Sequence, residues 1–205
     1  MKKNTLAVMA IVGLVVTTAA FADDEGWYVF GAAGQTTGGN DQATLDNALS
    51  SVGATKFSSN LSTPTVYNLD VGYQFIGNFA VEGGYIGSTD ETYSASGGTL
   101  ATPVNTSAHI RGWTLDAVGI WPVDNQSSLL GKLGVAGIQD KATVTGPVGS
   151  ASLSGTKTDM TYGLGAERDF ANDGLVRLDW DSYIVGDSAS SNRSGVWTFG
   201  VGYKF

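Results

Sequence analysis

The 205-residue chain carries a formal charge of −8, holds only 15% charged residues, contains 29 glycines and lacks cysteine. The acidic balance excludes a nucleic-acid binder, which needs clustered Lys and Arg, and the missing cysteine excludes disulfide and thiolate chemistry. A soluble acidic protein would carry more charge on its surface.

In chain order, Met1-Lys2-Lys3 is a short basic start, Leu6 to Val16 is apolar apart from Gly13, and Ala20-Phe21-Ala22 is a small-x-small cleavage pattern. Residues 1–22 therefore read as a secretory signal peptide cut after Ala22, because the apolar run falls short of the roughly 18 to 20 residues of a spanning helix. Without Lys2 and Lys3 the mature chain stands at −8 − 2 = −10. Residues 23–205 read as one domain.

The domain alternates with period two rather than 3.6. Trp27 to Gly34 is the first and weakest strand. After a long segment from Thr36 to Pro64, in which Asp41 to Val52 could form a short helix, Tyr67, Leu69, Val71, Tyr73 and Phe75 share one face of a second strand. Ile76-Gly77-Asn78 is a tight turn. The third strand places Phe79, Val81 and Tyr85 opposite Glu82. Thr89 to Ala108 reads as a long loop, and Trp113, Leu115, Ala117 and Trp121 form the apolar face of the fourth strand. Pro122 to Ser128 is a turn. Leu133 and Val135 oppose Lys132 in the fifth strand, and Ala142 to Thr156 reads as a third long loop. In the sixth strand Met160, Tyr162, Leu164 and Ala166 oppose Asp159 and Glu167. Ala171 to Gly174 is a turn, after which Val176, Leu178 and Trp180 oppose Arg177, Asp179 and Asp181. Beyond a loop from Asp187 to Ser194, Trp197, Phe199, Val201, Tyr203 and Phe205 oppose Thr198, Gly200, Gly202 and Lys204.

Eight strands with one apolar face and one small or polar face are the pattern of an eight-stranded antiparallel up-and-down transmembrane β-barrel, apolar side out. In a soluble barrel the apolar face points inward and a charged face meets water. Here the second face is mostly Gly, Ala, Ser and Thr with a few charges of both signs, which suits a narrow lumen. Aromatic residues gather near strand ends (Trp27, Phe79, Trp121, Phe170, Tyr203), as an interfacial girdle requires. Short turns alternate with long loops, so the turns and both termini face the periplasm and the long loops face outward.

The segments TVYNLDVGYQFIGNFAVEGGY (Thr65 to Tyr85), YGLGAERDF (Tyr162 to Phe170), LVRLDWDSY (Leu175 to Tyr183) and WTFGVGYKF (Trp197 to Phe205) resemble the transmembrane domain of OmpA-like outer-membrane proteins. The resemblance covers nearly the whole mature chain and is poor in the loops. It implies a lumen crossed by ion pairs, with Glu82, Lys132, Glu167 and Arg177 matching the family's charged positions. Val118 stands where the family has a lysine, which puts the family's switchable gate in doubt. The resemblance further implies a structural or surface-interaction role in envelope integrity and adhesion, in the bacterial outer membrane. The chain stops at Phe205, so the peptidoglycan-binding domain of longer relatives is not carried over. Val201, Tyr203 and Phe205 resemble the terminal signal read by barrel-assembly machinery.

Alternation alone directs Asp70, Glu82, Asp116, Lys132, Glu167, Arg177 and Asp179 inward. Buried charges must be paired or hydrated, so Arg177 is expected against Glu167 or Glu82. Such pairs either plug the barrel or gate a narrow ion path. The rival class is a lipid A-modifying enzyme, which needs a nucleophile, a histidine base and an orienting acid. The only histidine, His109, shares a face with Ser107, but Arg111 occupies the position where a deacylase-type His-x-Ser motif needs its serine. A carrier of small hydrophobic molecules would need an apolar lumen. No catalytic, metal or cofactor motif appears. The expected partners are outer-membrane lipid and lipopolysaccharide, the assembly machinery, and a host or surface ligand at the external loops.

Overall fold

The structure is a computed structural model that describes residues 25–37, 55–57, 64–97, 100–146, 149–170, 173–185 and 192–205. The expected signal peptide with its Ala20 and Ala22 cleavage site, and the expected helix at 41–52, lie outside the described residues. Ten strands form one antiparallel sheet. They are β1 (Gly26–Thr37), β2 (Lys56–Phe57), β3 (Thr65–Ile76), β4 (Phe79–Ser88), β5 (Glu91–Gly97), β6 (Leu100–Pro122), β7 (Ser127–Gly146), β8 (Gly149–Phe170), β9 (Gly174–Val185) and β10 (Asn192–Lys204). Eight of them close on themselves in the order β1-β3-β4-β6-β7-β8-β9-β10, with β1 paired to β10. The strands β2 and β5 stand outside that ring, β5 paired to the upper part of β6 and β2 paired to β5.

The ring is staggered. From Phe199, neighbouring residues lead one way through Ala33, Tyr67, Gly87 and Arg111 to Gln139 on β7. The other way they lead through Leu178 and Ala166 to Leu129. The two arrivals differ by 139 − 129 = 10 residues, a stagger that tilts the strands by roughly 40° to the axis.

The alternating pattern takes its predicted sense. Trp27, Leu69, Phe79, Trp121, Leu164 and Phe199 are each at least half exposed on the outer wall. Trp113 and Trp121 bracket this wall on β6. Their separation of 121 − 113 = 8 residues spans about 20 Å along the axis of a tilted strand, close to the apolar band of a membrane barrel.

Two expectations change. The segments read as loops at Thr89 to Ala108 and Ala142 to Thr156 are largely strand: β5 pairs with β6 from Glu91 to Gly97, and β7 pairs with β8 up to Gly146–Gly149. These hairpins make β6, β7 and β8 23, 20 and 22 residues long. Their Ser, Thr and Val content favours extended backbone, and above the membrane neither face has to be apolar. Their tips carry Gly97 (φ 81°) and Gly149 (φ 131°), in conformations that a Cβ would strain. At the opposite end the connections are short. The β6–β7 turn is held by Val123 N–H donating to Ser127 O (2.8 Å) and by Gln126 N–H donating to Asp124 Oδ1 (2.8 Å), which holds that carboxyl below its ordinary range.

The interior is layered. On the side of the hairpins, Val66, Ile86, Ala136, Ile138, Tyr183 and Val196 pack together. On the side of the turns lie two further apolar clusters, one of Tyr28, Ala80, Val118 and Leu130, the other of Phe30, Ala32 and Leu175. Between these layers are the charges.

Candidate functional site in the barrel lumen

Arg177 is the largest fully buried side chain and is 1% exposed. It enters from β9, three residues above the β8–β9 turn, and turns its guanidinium across the barrel. Nη1 and Nη2 donate to Glu82 Oε1 (2.5 Å) and Oε2 (3.3 Å) on β4, and Nε donates to Asp179 Oδ2 (2.9 Å). The cation also lies 3.9 Å from the centroid of the Phe30 ring on β1, close enough for a cation–π contact. Glu167, directly opposite Arg177 on β8, approaches Nη1 only to 3.9 Å. The tight turn thus makes Glu167 the cross-strand neighbour, while the stagger and the length of the side chain make Glu82 the nearer partner.

Lys132, from β7, supplies the second cation. Its Nζ lies 3.0 Å from Asp179 Oδ2, 3.6 Å from Glu82 Oε2 and 3.9 Å from Asp181 Oδ2. Glu82 and Asp179 are therefore each shared between Lys132 and Arg177. Tyr28 completes the shell by donating its hydroxyl to Glu82 Oε1 (2.7 Å). One connected network ties together β1, β4, β7, β8 and β9. Charges this buried are costly unless paired and hydrogen-bonded, and Glu82 has all three kinds of donor around it.

Asp116, on β6, is not joined to either cation by an ion pair; it accepts from Thr161 Oγ1 at 2.8 Å. Asp70 accepts from the Asn68 amide. Lys204 Nζ, near the end of β10, reaches Glu167 Oε1 (3.1 Å) and both oxygens of Asp169 (2.8 and 3.0 Å). Val201 and Tyr203 lie on the outer wall, and Phe205 N–H donates to Trp27 O (2.8 Å), sealing β10 to β1.

Space for the carboxylates comes from glycine on the neighbouring strand. Asp70 pairs with Gly84, Asp116 with Gly134, Asp179 with Gly165 and Asp181 with Gly163. A Cβ on any of these glycines would overlap the carboxylate of its partner. Sequence reasoning saw the glycines as a small face; the one-to-one pairing with aspartate needs the register. It also missed Tyr28 and Phe30, because both faces of β1 are apolar and its alternation is weak.

His109 lies outside this network, on the outer face near the hairpins. Its Nδ1 is 3.0 Å from Asp90 Oδ1. Among the described residues, no hydrogen bond joins Ser107 to the ring. No group of three or more His, Cys, Asp or Glu among the described residues could hold a metal ion.

A family model described as outer membrane protein beta-barrel domain matches residues 6–205. No curated protein sequence matches the chain. Among solved structures, Ail, the attachment invasion locus protein of Yersinia pestis, is 19% identical over 88% of this chain and 98% of that one, with a TM-score of 0.54. Ail in complex with the heparin analogue sucrose octasulfate gives 19% identity over the same shares, with a TM-score of 0.56. Neisserial surface protein A is 18% identical over 88% of this chain and 97% of that one, with a TM-score of 0.50.

Proposed function

We propose that this chain, which belongs to the outer membrane protein beta-barrel domain family, is a non-catalytic surface barrel of the bacterial outer membrane: a plugged scaffold that displays its external hairpins for interaction. The observation that carries this reading is the lumen, where Arg177 and Lys132 share Glu82 and Asp179 between two apolar layers. A wall cross-braced in this way serves display and envelope integrity better than transport, and its charge suits no carrier of hydrophobic molecules. The hairpins β5–β6 and β7–β8 supply the interaction surface. Sucrose octasulfate, bound by Ail, is a suitable probe for them here. The terminal Val201, Tyr203 and Phe205 are the segment offered to the assembly machinery.

One observation favours a second reading, a narrow ion path. Glu82 sits within reach of two cations, and exchanging Arg177 for Lys132 would move charge without unpairing it. Single-channel recording across a planar bilayer separates the two readings. The plugged scaffold stays closed, and Arg177→Ala and Glu82→Ala each open it by emptying the layer. Frequent openings of the wild-type protein, lost or altered in both variants, would replace the plug with a gate.

A further inference from the structure

The interior holds more negative charge than its own cations balance. The whole chain has 11 Lys and Arg and one His. Strand alternation points four of them inward: Lys132, Lys157, Arg177 and Lys204. Lys157 is paired to Asp159 at 3.7 Å toward the external end, and Lys204 to Glu167 and Asp169 at the other. Lys132 and Arg177 are left for the five inward carboxylates of Asp70, Glu82, Asp116, Asp179 and Asp181, a balance of 2 − 5 = −3. Past residue 24, the segments outside the described residues contain no Lys, Arg or His to make up the difference.

Three of the five carboxylates stand at one level. On β9, Asp181 lies between Asp179 of the ion-pair network and Tyr183 of the upper apolar layer. Asp116 faces Gly134, which lies between Lys132 and Ala136 on β7, and Asp70 faces Gly84, between Glu82 and Ile86 on β4. The level therefore sits directly above the network and directly beneath the apolar layer. Lys132 touches it from below, 3.9 Å from Asp181 Oδ2, while standing 3.0 Å from Asp179 Oδ2. Among the described residues, Asp116 and Asp70 are hydrogen-bonded by neutral donors, the Thr161 hydroxyl and the Asn68 amide.

A second, independent observation falls at the same place. Thr198 on β10 is 4% exposed and points inward, between the outer-wall residues Trp197 and Phe199 and one inward position below Val196. Its Oγ1 has no hydrogen-bond partner among the described residues. Asn68 Oδ1, one inward position below Val66 on β3, is likewise unpartnered, and so is Oδ1 of the fully buried Asp179 directly opposite Thr198. All three orphaned atoms are oxygens beside a surplus of negative charge. Carboxylate, carboxamide and hydroxyl oxygens are the ligands of hard cations. No three carboxylates among the described residues can close on one metal ion, so a divalent ion with an all-carboxylate shell does not fit. A monovalent ion can complete its shell with neutral oxygens.

We infer that this level of the lumen binds a sodium or potassium ion, in the field of Asp70, Asp116 and Asp181 and with neutral oxygens from Asn68 and Thr198. The ion offsets part of the cost of burying carboxylates that no side-chain cation reaches, and it couples the stability of the barrel to alkali cations. The inference rests on the charged lumen and not on display by the hairpins.

The test follows urea unfolding of the mature barrel in phosphatidylcholine vesicles by tryptophan fluorescence, at neutral pH and constant ionic strength, in sodium or potassium chloride against choline chloride. The folding equilibrium constant of the wild type is about tenfold larger in the better alkali salt, the factor for an ion at about ten times its dissociation constant. Asp116→Asn combined with Asp181→Asn, which removes two of the surplus charges, abolishes the difference. Thr198→Val, which keeps the shape and deletes the orphaned hydroxyl, reduces it. Asp159→Asn, whose carboxylate faces Lys157 above this level, leaves it intact. Migration as the compact species on an unheated gel verifies that each variant is folded. Equal stability of the wild type in alkali and choline salts overturns the inference, and stabilisation by acid alone, absent from the double variant, assigns the missing charge to protons instead. An alkali effect unchanged in the double variant, or in Thr198→Val where the double variant does not fold, overturns it in favour of a general salt effect.

Discussion

At the scale of the residue, the interior is a problem of placing charge in a narrow space. Arg177 cannot reach water, and its guanidinium is satisfied by Glu82, Asp179 and the face of Phe30. Removing one partner from such a set leaves the others as uncompensated buried charges, a cost of about 3–5 kcal/mol. Arg177→Met, which keeps the bulk and deletes the charge, should therefore destabilise the folded barrel by about that amount, as measured by urea unfolding in lipid vesicles. Arg177→Met combined with Glu82→Leu should recover much of the loss, because it deletes the stranded carboxylate as well. A double variant no more stable than the single one would mean that Glu82 is hydrated and contributes little. The charged positions were legible in the sequence, since alternation alone directs Glu82, Lys132, Glu167 and Arg177 to one side. Their partners were less so. Which carboxylate an arginine meets depends on stagger, and Asp179, two residues along the same strand, is bonded to Arg177 Nε although no turn brings it there.

At the scale of the element, each strand consists of a membrane segment and, on one side of the barrel, a continuation above it. The first part was readable because lipid imposes a strict apolar face on alternate residues. The second was not. Once β5, β6, β7 and β8 leave the apolar band, water accepts polar residues on both faces, and Ser, Thr and Gly give the same composition in a hairpin as in a loop. Pairing is nevertheless continuous, from Trp113 opposite Gly137 up to Asn105 opposite Thr145. The pairing of aspartate with glycine also continues above the band, at Asp140 and Gly155. The hairpins add length without adding to the interior layers, which are built from residues lower on the same strands. Replacing residues 92–107 with a short turn removes the buried Tyr93 and Ala95 but no residue of those layers, so it should cost less than the roughly 3–5 kcal/mol expected for Arg177→Met. On the display function proposed above, the same deletion should abolish binding of whatever surface ligand the hairpin holds, followed by calorimetry on the folded protein. Retained binding would move the interaction surface away from the β5–β6 hairpin.

At the scale of the molecule, closure makes local interactions global. The ring has no free edge within the membrane, and its seam is held by ten residue pairs between β1 and β10, from Tyr28–Lys204 to Thr37–Gly195, with Phe205 N–H donating to Trp27 O below them. A detergent must break the wall somewhere before any strand is released, so a closed barrel resists sodium dodecyl sulfate until heated and migrates on a gel as a compact species. The lumen network braces that wall from inside, joining β1, β4, β7, β8 and β9 across the interior rather than along the sheet. Cross-bracing and hairpin display therefore separate in one measurement, the temperature at which the compact species converts to the extended one. Loss of about 3–5 kcal/mol in a domain of this size lowers a transition by roughly 10 °C, and Arg177→Met should convert at a temperature lower by about that much. The barrel lacking residues 92–107 should convert at a higher temperature than Arg177→Met, because its ring and its interior layers are intact. Conversion of Arg177→Met at the wild-type temperature would show that hydrogen bonding around the ring holds the barrel without its charged layer.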